Sequence, residues 1–234
     1  MTKILFVCHG NICRSPAAEF VLRSLADRAG ISDQFLIESA ATSTEELGNP
    51  VYPQMCRVLN DRGYDCSGKT ARQIQRSEYD SWDLIIGMDS ENMWDMRRLF
   101  HGDPEGKLHL LTEYTGSDEI EIPDPWYTRD FSGCLEIIED ACSALFTDLT
   151  GIVFLDFSEC ADIPALYAEL RHKMNWEPWY GENLDALHDI ITGLPHTGAR
   201  FILTMPAEDA PAEVRIYAER IASVFLDNNK GVLE

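Results

Sequence analysis

The sequence predicts an α/β protein: a four-stranded parallel sheet with helices on both faces, followed by a smaller α/β unit whose last strand is truncated. Three observations carry that expectation. Apolar runs alternate with amphipathic segments through the first 150 residues, the pattern of strands joined by helical crossovers. The first run, Lys3-Ile4-Leu5-Phe6-Val7, leads directly into Cys8-His9-Gly10-Asn11-Ile12-Cys13-Arg14-Ser15 and then Pro16, the layout of strand, tight loop and helix start. After Thr150-Gly151 a second strand-and-helix pattern begins, so the expected domains are 1–149 and 151–234.

Each element has its own signal. Ser15 suits a helix cap and Pro16 a first turn. Phe20, Leu22, Leu25 and Ala26 then form an apolar stripe that Gly30 stops. Gln34 to Thr42 reads as a second strand, residues 51–63 as a helix, and Asp83 to Met88 as a buried strand ending in a polar turn at Asp89. Asn92 to Phe100 reads as a helix, Leu108 to Leu111 as the fourth strand, and Phe131 to Leu149 as the domain's last helix. In such a sheet, ligands bind beyond the carboxyl ends of the strands. The Cys8 loop lies there.

Composition sets bounds. With 45% hydrophobic and 25% charged residues, the chain matches an ordinary soluble protein with one large or two modest domains. No run is long enough to span a bilayer, and the N-terminus lacks a signal-peptide layout. Acids outnumber bases 26 to 13 through residue 150 and 14 to 6 beyond it, giving a net charge of −21. Nucleic acid and anionic membrane are therefore excluded as expected partners, and basic protein surfaces favoured. An odd count of seven cysteines and a loop that needs a free thiol point to a reducing cytoplasm.

The chemistry is concentrated in residues 8–15. A loop of this kind turns backbone N–H groups toward a helix N-terminus, making an anion cradle from His9, Gly10, Ile12 and Cys13. Arg14 can grip two phosphate oxygens through paired hydrogen bonds. The same positive field favours Cys8 as the attacking thiolate. Gly10 and Asn11 tolerate left-handed backbone, and Ser15 can hydrogen-bond the sulfur when it leaves. The expected reaction is attack on a phosphate ester through a phosphocysteine, with no metal and no cofactor. Cys13, beside Cys8, can pair with it reversibly under oxidation.

On these residues the stretch from about Lys3 to Leu149 resembles the low-molecular-weight protein tyrosine phosphatases. The resemblance implies that Asp124, in Ile122-Pro123-Asp124-Pro125-Trp126-Tyr127, is the general acid that protonates the phenolate leaving group. It also implies that Trp126 and Tyr127 flank the substrate ring, and that Ser39 supports Asn11. Glu45 departs from the family, standing where an aromatic wall residue is usual, which leaves substrate range open. Arsenate reductases share this scaffold but need a further cysteine pair near Asp80 to Asp95, which is missing here. Arginine phosphatases typically carry threonine where this chain has Ile12, so phosphotyrosine on a protein is the expected substrate.

The second half opens with the strand Ile152 to Phe157 and a helix from Asp162-Ile163-Pro164 to about Met174. It closes with a strand over Arg200 to Thr204 and a helix over Ala212 to Leu226. Between these lies Trp179-Tyr180-Gly181-Glu182-Asn183-Leu184-Asp185-Ala186-Leu187-His188-Asp189. Asp185, His188 and Asp189 fall on one helical face. This half is similar to barstar, the inhibitor of a secreted bacterial ribonuclease, over residues 151–231. The resemblance implies a binding face of Trp179, Asn183, Asp185, Asp189 and Asp227, with His188 in place of the usual tryptophan, and a basic ribonuclease as partner. The alternative is a binding protein whose first half is only a scaffold. Barstar closes its sheet with a final strand after the position of Gly231. Only Val232-Leu233-Glu234 remain here, so that strand is expected to be cut short or absent, leaving its neighbour as an open edge.

Overall fold

An apolar strand with no polar face can only sit between two layers. β1 (Thr2–Cys8) is such a strand, with Ile4, Leu5, Phe6 and Val7 wholly buried. In the computed structural model, which describes residues 1–116, 121–174, 181–193, 200–228 and 230–234, β1 lies at the centre of a parallel sheet. It pairs with β2 (Phe35–Ala41) on one side and β3 (Leu84–Gly87) on the other, and β4 (Leu108–Leu110) completes the order β2-β1-β3-β4.

Side chains alternate across the sheet. Leu5 and Val7 join Ala40, Ile85, Met93, Met96 and Phe100 in one core, under α3 (Ser90–Leu99). Ile4 and Phe6 point to the opposite face. There α1 (Arg14–Arg28) and α5 (Phe131–Thr150) are in contact, the Cys142 thiol donating to the Ala18 carbonyl at 3.7 Å. α2 (Pro53–Asp61) and the short α4 (Pro125–Thr128) complete the helices of this part. The chain divides into two compact units, Met1–Asp148 and Leu149–Glu234. Among the described residues no helix is long and apolar enough to cross a membrane.

The second unit has its own parallel sheet, β5 (Ile152–Asp156), β6 (Arg200–Thr204) and β7 (Gly231–Leu233), in the order β5-β6-β7. Its helices α6 (Ile163–Met174), α7 (Leu184–Gly193) and α8 (Ala212–Asp227) share one core with Leu155, Phe157 and Leu203.

Four expectations are refined. The final strand is cut short to three residues but present, paired Phe201↔Gly231 to Leu203↔Leu233, so β6 is covered on both sides. Ser15 is not the helix cap. α1 starts two residues earlier, at Arg14 with Cys13 at the cap and no side chain bonding the first turn, and the Ser15 hydroxyl is drawn to the Cys8 sulfur instead. Of the two residues expected in left-handed backbone, Asn11 adopts it (φ 56°) while Gly10 does not. Finally, five cysteines are free, Cys8 and Cys13 among them. Cys56 and Cys66, however, are joined as a disulfide because α2 and the turn after it bring their Cα atoms to 5.9 Å.

Gly231 shows how little chain closes the second sheet. A Cβ there would meet Phe225 Cβ at 2.7 Å and Leu203 Cδ1 at 3.0 Å. Phe201 N–H donates to Lys230 O, and Glu234 N–H to Leu203 O. Gly231→Ala is therefore expected to lose about 1–3 kcal/mol through overpacking. The measurement is the urea midpoint followed by circular dichroism, with Gly193→Ala, which meets open space, as the control that stays near wild type.

Candidate active site

Asn11 organises the loop. Its backbone N–H donates to Cys8 Sγ at 3.3 Å, and its Nδ2 donates to Ser15 Oγ at 2.9 Å and to Ser39 Oγ at 2.7 Å. Its Oδ1 accepts the backbone N–H of Arg72 at 3.1 Å. The side chain is wholly buried. These bonds offset the cost of left-handed backbone at a residue with a Cβ. Ser15 Oγ lies 3.0 Å from Cys8 Sγ, so the sulfur at the end of β1 has two polar neighbours supplied by its own loop.

Behind this contact a chain of polar groups continues inward. Ser39 Oγ donates to Glu19 Oε2 at 2.6 Å, and Lys69 Nζ donates to the same oxygen at 2.5 Å. A buried carboxylate needs such partners.

Arg14 lies across the recess, its side chain 3% exposed. Nη1 donates to Asp89 Oδ2 at 2.5 Å and to the Ile122 carbonyl at 3.1 Å, and Nη2 donates to Asp124 Oδ2 at 2.6 Å. Both carboxylates are themselves fixed as helix caps. Asp89 Oδ1 accepts from Asn92 N–H on α3, and Asp124 Oδ1 from Trp126 N–H on α4. Burial opposes the guanidinium's charge, but Cys8, Asp124 and Asp89 outweigh it and hold the Arg14 pKa above its usual value. Burial raises the Cys13 thiol, with Cys8 and Asp124 adding to it. Cys134 is pushed up to about 12, mainly by burial, against the pull of Arg14.

Cys8, Cys13, Arg14, Asp89 and Asp124 line one recess of about 270 Å³ together with His9, Gly10, Ile12, Glu45, Trp126 and Tyr127. Gly10 lets the Glu46 side chain lie close, since a Cβ there would meet Glu46 Cγ at 3.2 Å. Tyr52 supports the aromatic wall from beneath, edge-on to Trp126 at 5.5 Å and stacked on Phe131 at 5.6 Å. The start of α1, with no side chain capping it, brings Cys13 and Arg14 to the same recess as Cys8, an arrangement suited to a tetrahedral oxyanion.

A sequence model of the family described as "Low molecular weight phosphotyrosine protein phosphatase" matches residues 3–152. The chain belongs to that family. It is a phosphatase, and its relatives agree. The low molecular weight phosphotyrosine protein phosphatase of Rattus norvegicus is 38% identical over 149 residues, 60% of this chain and 88% of that protein. The crystal structure of YfkJ from Bacillus subtilis superposes with a TM-score of 0.62 at 34% identity, covering 64% of this chain and 94% of that one. A protein tyrosine phosphatase from Entamoeba histolytica, solved with Hepes in the active site, superposes with a TM-score of 0.60 at 31% identity, covering 64% and 97%. A second model, barstar (barnase inhibitor), matches residues 150–232.

Within the phosphatase unit, the structure gathers Cys8, Arg14 and Asp124 with the other residues the sequence singles out. Asn11 and Ser15 lie behind the sulfur. Asp89 and Glu46 also line the recess and were not singled out. The available signal for Asp89 was its place just past the carboxyl end of β3, where ligand-side groups of such sheets collect. Lys69 and Glu19 gave no signal, because a lysine in a loop and a glutamate in a helix read as surface residues.

In the barstar-like unit, Asp185, His188 and Asp189 are exposed on α7, and Asp227 is exposed at the end of α8. Asn183 spends its side chain locally, Oδ1 accepting Ala186 N–H at 2.9 Å as the start of α7. Trp179 lies outside the described residues.

The Asn11 network predicts a separable effect. Asn11→Ala strips partners from buried Ser39 and from the Arg72 amide, a loss of about 1–3 kcal/mol per orphaned group. Asn11→Gly relieves the backbone but not the bonding. Both variants should lose phosphatase activity on p-nitrophenyl phosphate, with Asn11→Gly melting higher than Asn11→Ala.

Proposed function

We propose that the first unit hydrolyses phosphotyrosine and small aryl phosphates in two steps through a phosphocysteine. Cys8 Sγ forms a bond to phosphorus as the P–O bond to the phenol breaks, and Asp124 gives its proton to the leaving oxygen. Water then attacks phosphorus and gives a proton to Asp124. The S–P bond breaks, inorganic phosphate departs, and Ser15 Oγ hydrogen-bonds the released thiolate. Arg14 and the first-turn N–H groups of α1 hold the equatorial oxygens throughout.

The observation that carries this reading is the convergence on one recess of a sulfur bonded by Asn11 N–H and Ser15 Oγ with a guanidinium already bridging to Asp124. Asp124 Oδ2 sits on Arg14. Substrate phosphate takes that edge of the guanidinium, which frees the aspartate to face the ester oxygen.

Cys8→Ser should abolish turnover of p-nitrophenyl phosphate, and activity that survives it would sink the phosphocysteine. Asp124→Asn should cost about 10²–10⁴-fold on phosphotyrosine, whose leaving group needs a proton, and less on p-nitrophenyl phosphate. At pH 8, iodoacetamide should modify Cys8, with inorganic phosphate protecting it. Cys13 and Cys134 should stay unmodified, because thiols with raised pKa values remain protonated there.

For the second unit, the exposed acidic residues on α7 support the reading of a docking face for a basic microbial ribonuclease. Ribonuclease inhibition at micromolar protein, weakened by Asp189→Ala, is the expected result. No inhibition by the folded chain would retire it.

A further inference from the structure

The charge balance of the active-site recess is one-sided. Its lining holds one guanidinium, Arg14, and five carboxylates: Glu45, Glu46, Asp89, Glu91 and Asp124. Asp89 and Asp124 are already ion-paired to that guanidinium. The other three reach the mouth from two separate elements, Glu45 and Glu46 from the segment after β2 and Glu91 from the first turn of α3. Among the described residues none of these three has an arginine or lysine partner. Glu45 Oε2 lies 3.2 Å from His9 Nε2, and Glu46 Oε2 accepts from Asn49 Nδ2 at 2.7 Å.

A phosphate dianion entering this mouth passes three carboxylates that no arginine or lysine pairs with among the described residues. Each repels it weakly through water, and the effects multiply. A phosphate monoester with no other charge therefore binds at a disadvantage. A ligand that brings cations alongside its phosphate reverses the sign of all three terms. The aromatic side of the mouth adds to this, because Tyr127 is 82% exposed and offers its ring to a guanidinium or ammonium.

We propose that Glu45, Glu46 and Glu91 make this phosphatase selective for phosphotyrosine flanked by arginine or lysine. This rests on the phosphotyrosine reading above and names the substrate class of the same site.

The test uses two phosphotyrosine peptides of equal length, one with lysines and one with glutamates on both sides. Binding to the full-length Cys8→Ser chain is followed by fluorescence anisotropy, and turnover by the wild type is followed by phosphate release. The basic peptide should bind about tenfold or more tightly in low salt, with the ratio shrinking as salt rises. In the Glu45→Gln, Glu46→Gln, Glu91→Gln triple variant the ratio should fall to within about twofold, while hydrolysis of p-nitrophenyl phosphate rises. Equal binding of the two peptides by the parent chain overturns the proposal, as does a triple variant that keeps the full ratio. Because binding is read on the Cys8→Ser chain, selective binding there with no phosphate release by the wild type would defeat the hydrolytic mechanism and leave the charged rim standing.

Discussion

The site depends on one buried amide. Asn11 is held in left-handed backbone only because its side chain bonds simultaneously to Ser15, Ser39 and the Arg72 amide. Those three partners belong to α1, β2 and the segment that bridges to β2 at Gln73. The loop that bends around Cys8 is therefore tied to three parts of the sheet's carboxyl edge at once. Its shape is set before any ligand arrives, and preorganisation of this kind lowers the cost of binding an oxyanion. The Lys69–Glu19–Ser39 contacts extend that rigidity inward, with Arg23 Nη1 on the other oxygen of Glu19 at 2.7 Å, since a carboxylate this deep stays in place only while it is partnered.

The arginine works against this background. Its two forward nitrogens are engaged by carboxylates that are each anchored as a helix cap. Asp89 comes from the α3 side of the sheet and Asp124 from the loop before α4, so three distant stretches of sequence meet at one guanidinium. The meeting explains why the cysteine must sit at the end of a central strand. Only there do loops from β1, β3 and the chain before α4 converge.

Much of this was legible in the sequence, for identifiable physical reasons. The central strand announces itself because Ile4 to Val7 are apolar without alternation, and the loop after it because residue types that tolerate unusual backbone stand between a cysteine and an arginine. The general-acid reading of Asp124 rests only on resemblance, since an aspartate between prolines signals a turn and nothing more. What stayed hidden was pairwise: Asp89 reaching Arg14, Glu19 buried beneath Ser39, and Cys56 meeting Cys66. None of these contacts leaves a periodic trace. The Ser15 hydroxyl illustrates the reverse error, a residue suited to capping by type but claimed by a nearby sulfur.

The bridge between Arg14 and Asp124 has a consequence of its own. While it stands, the Asp124 carboxylate holds one edge of the guanidinium as a tethered partner, at an effective concentration no free solute can match. A group that offers the guanidinium two oxygens in fork geometry competes for that edge better than a single-point anion does. The chain thus filters its visitors by the strength and shape of their oxygens before any bond is made or broken.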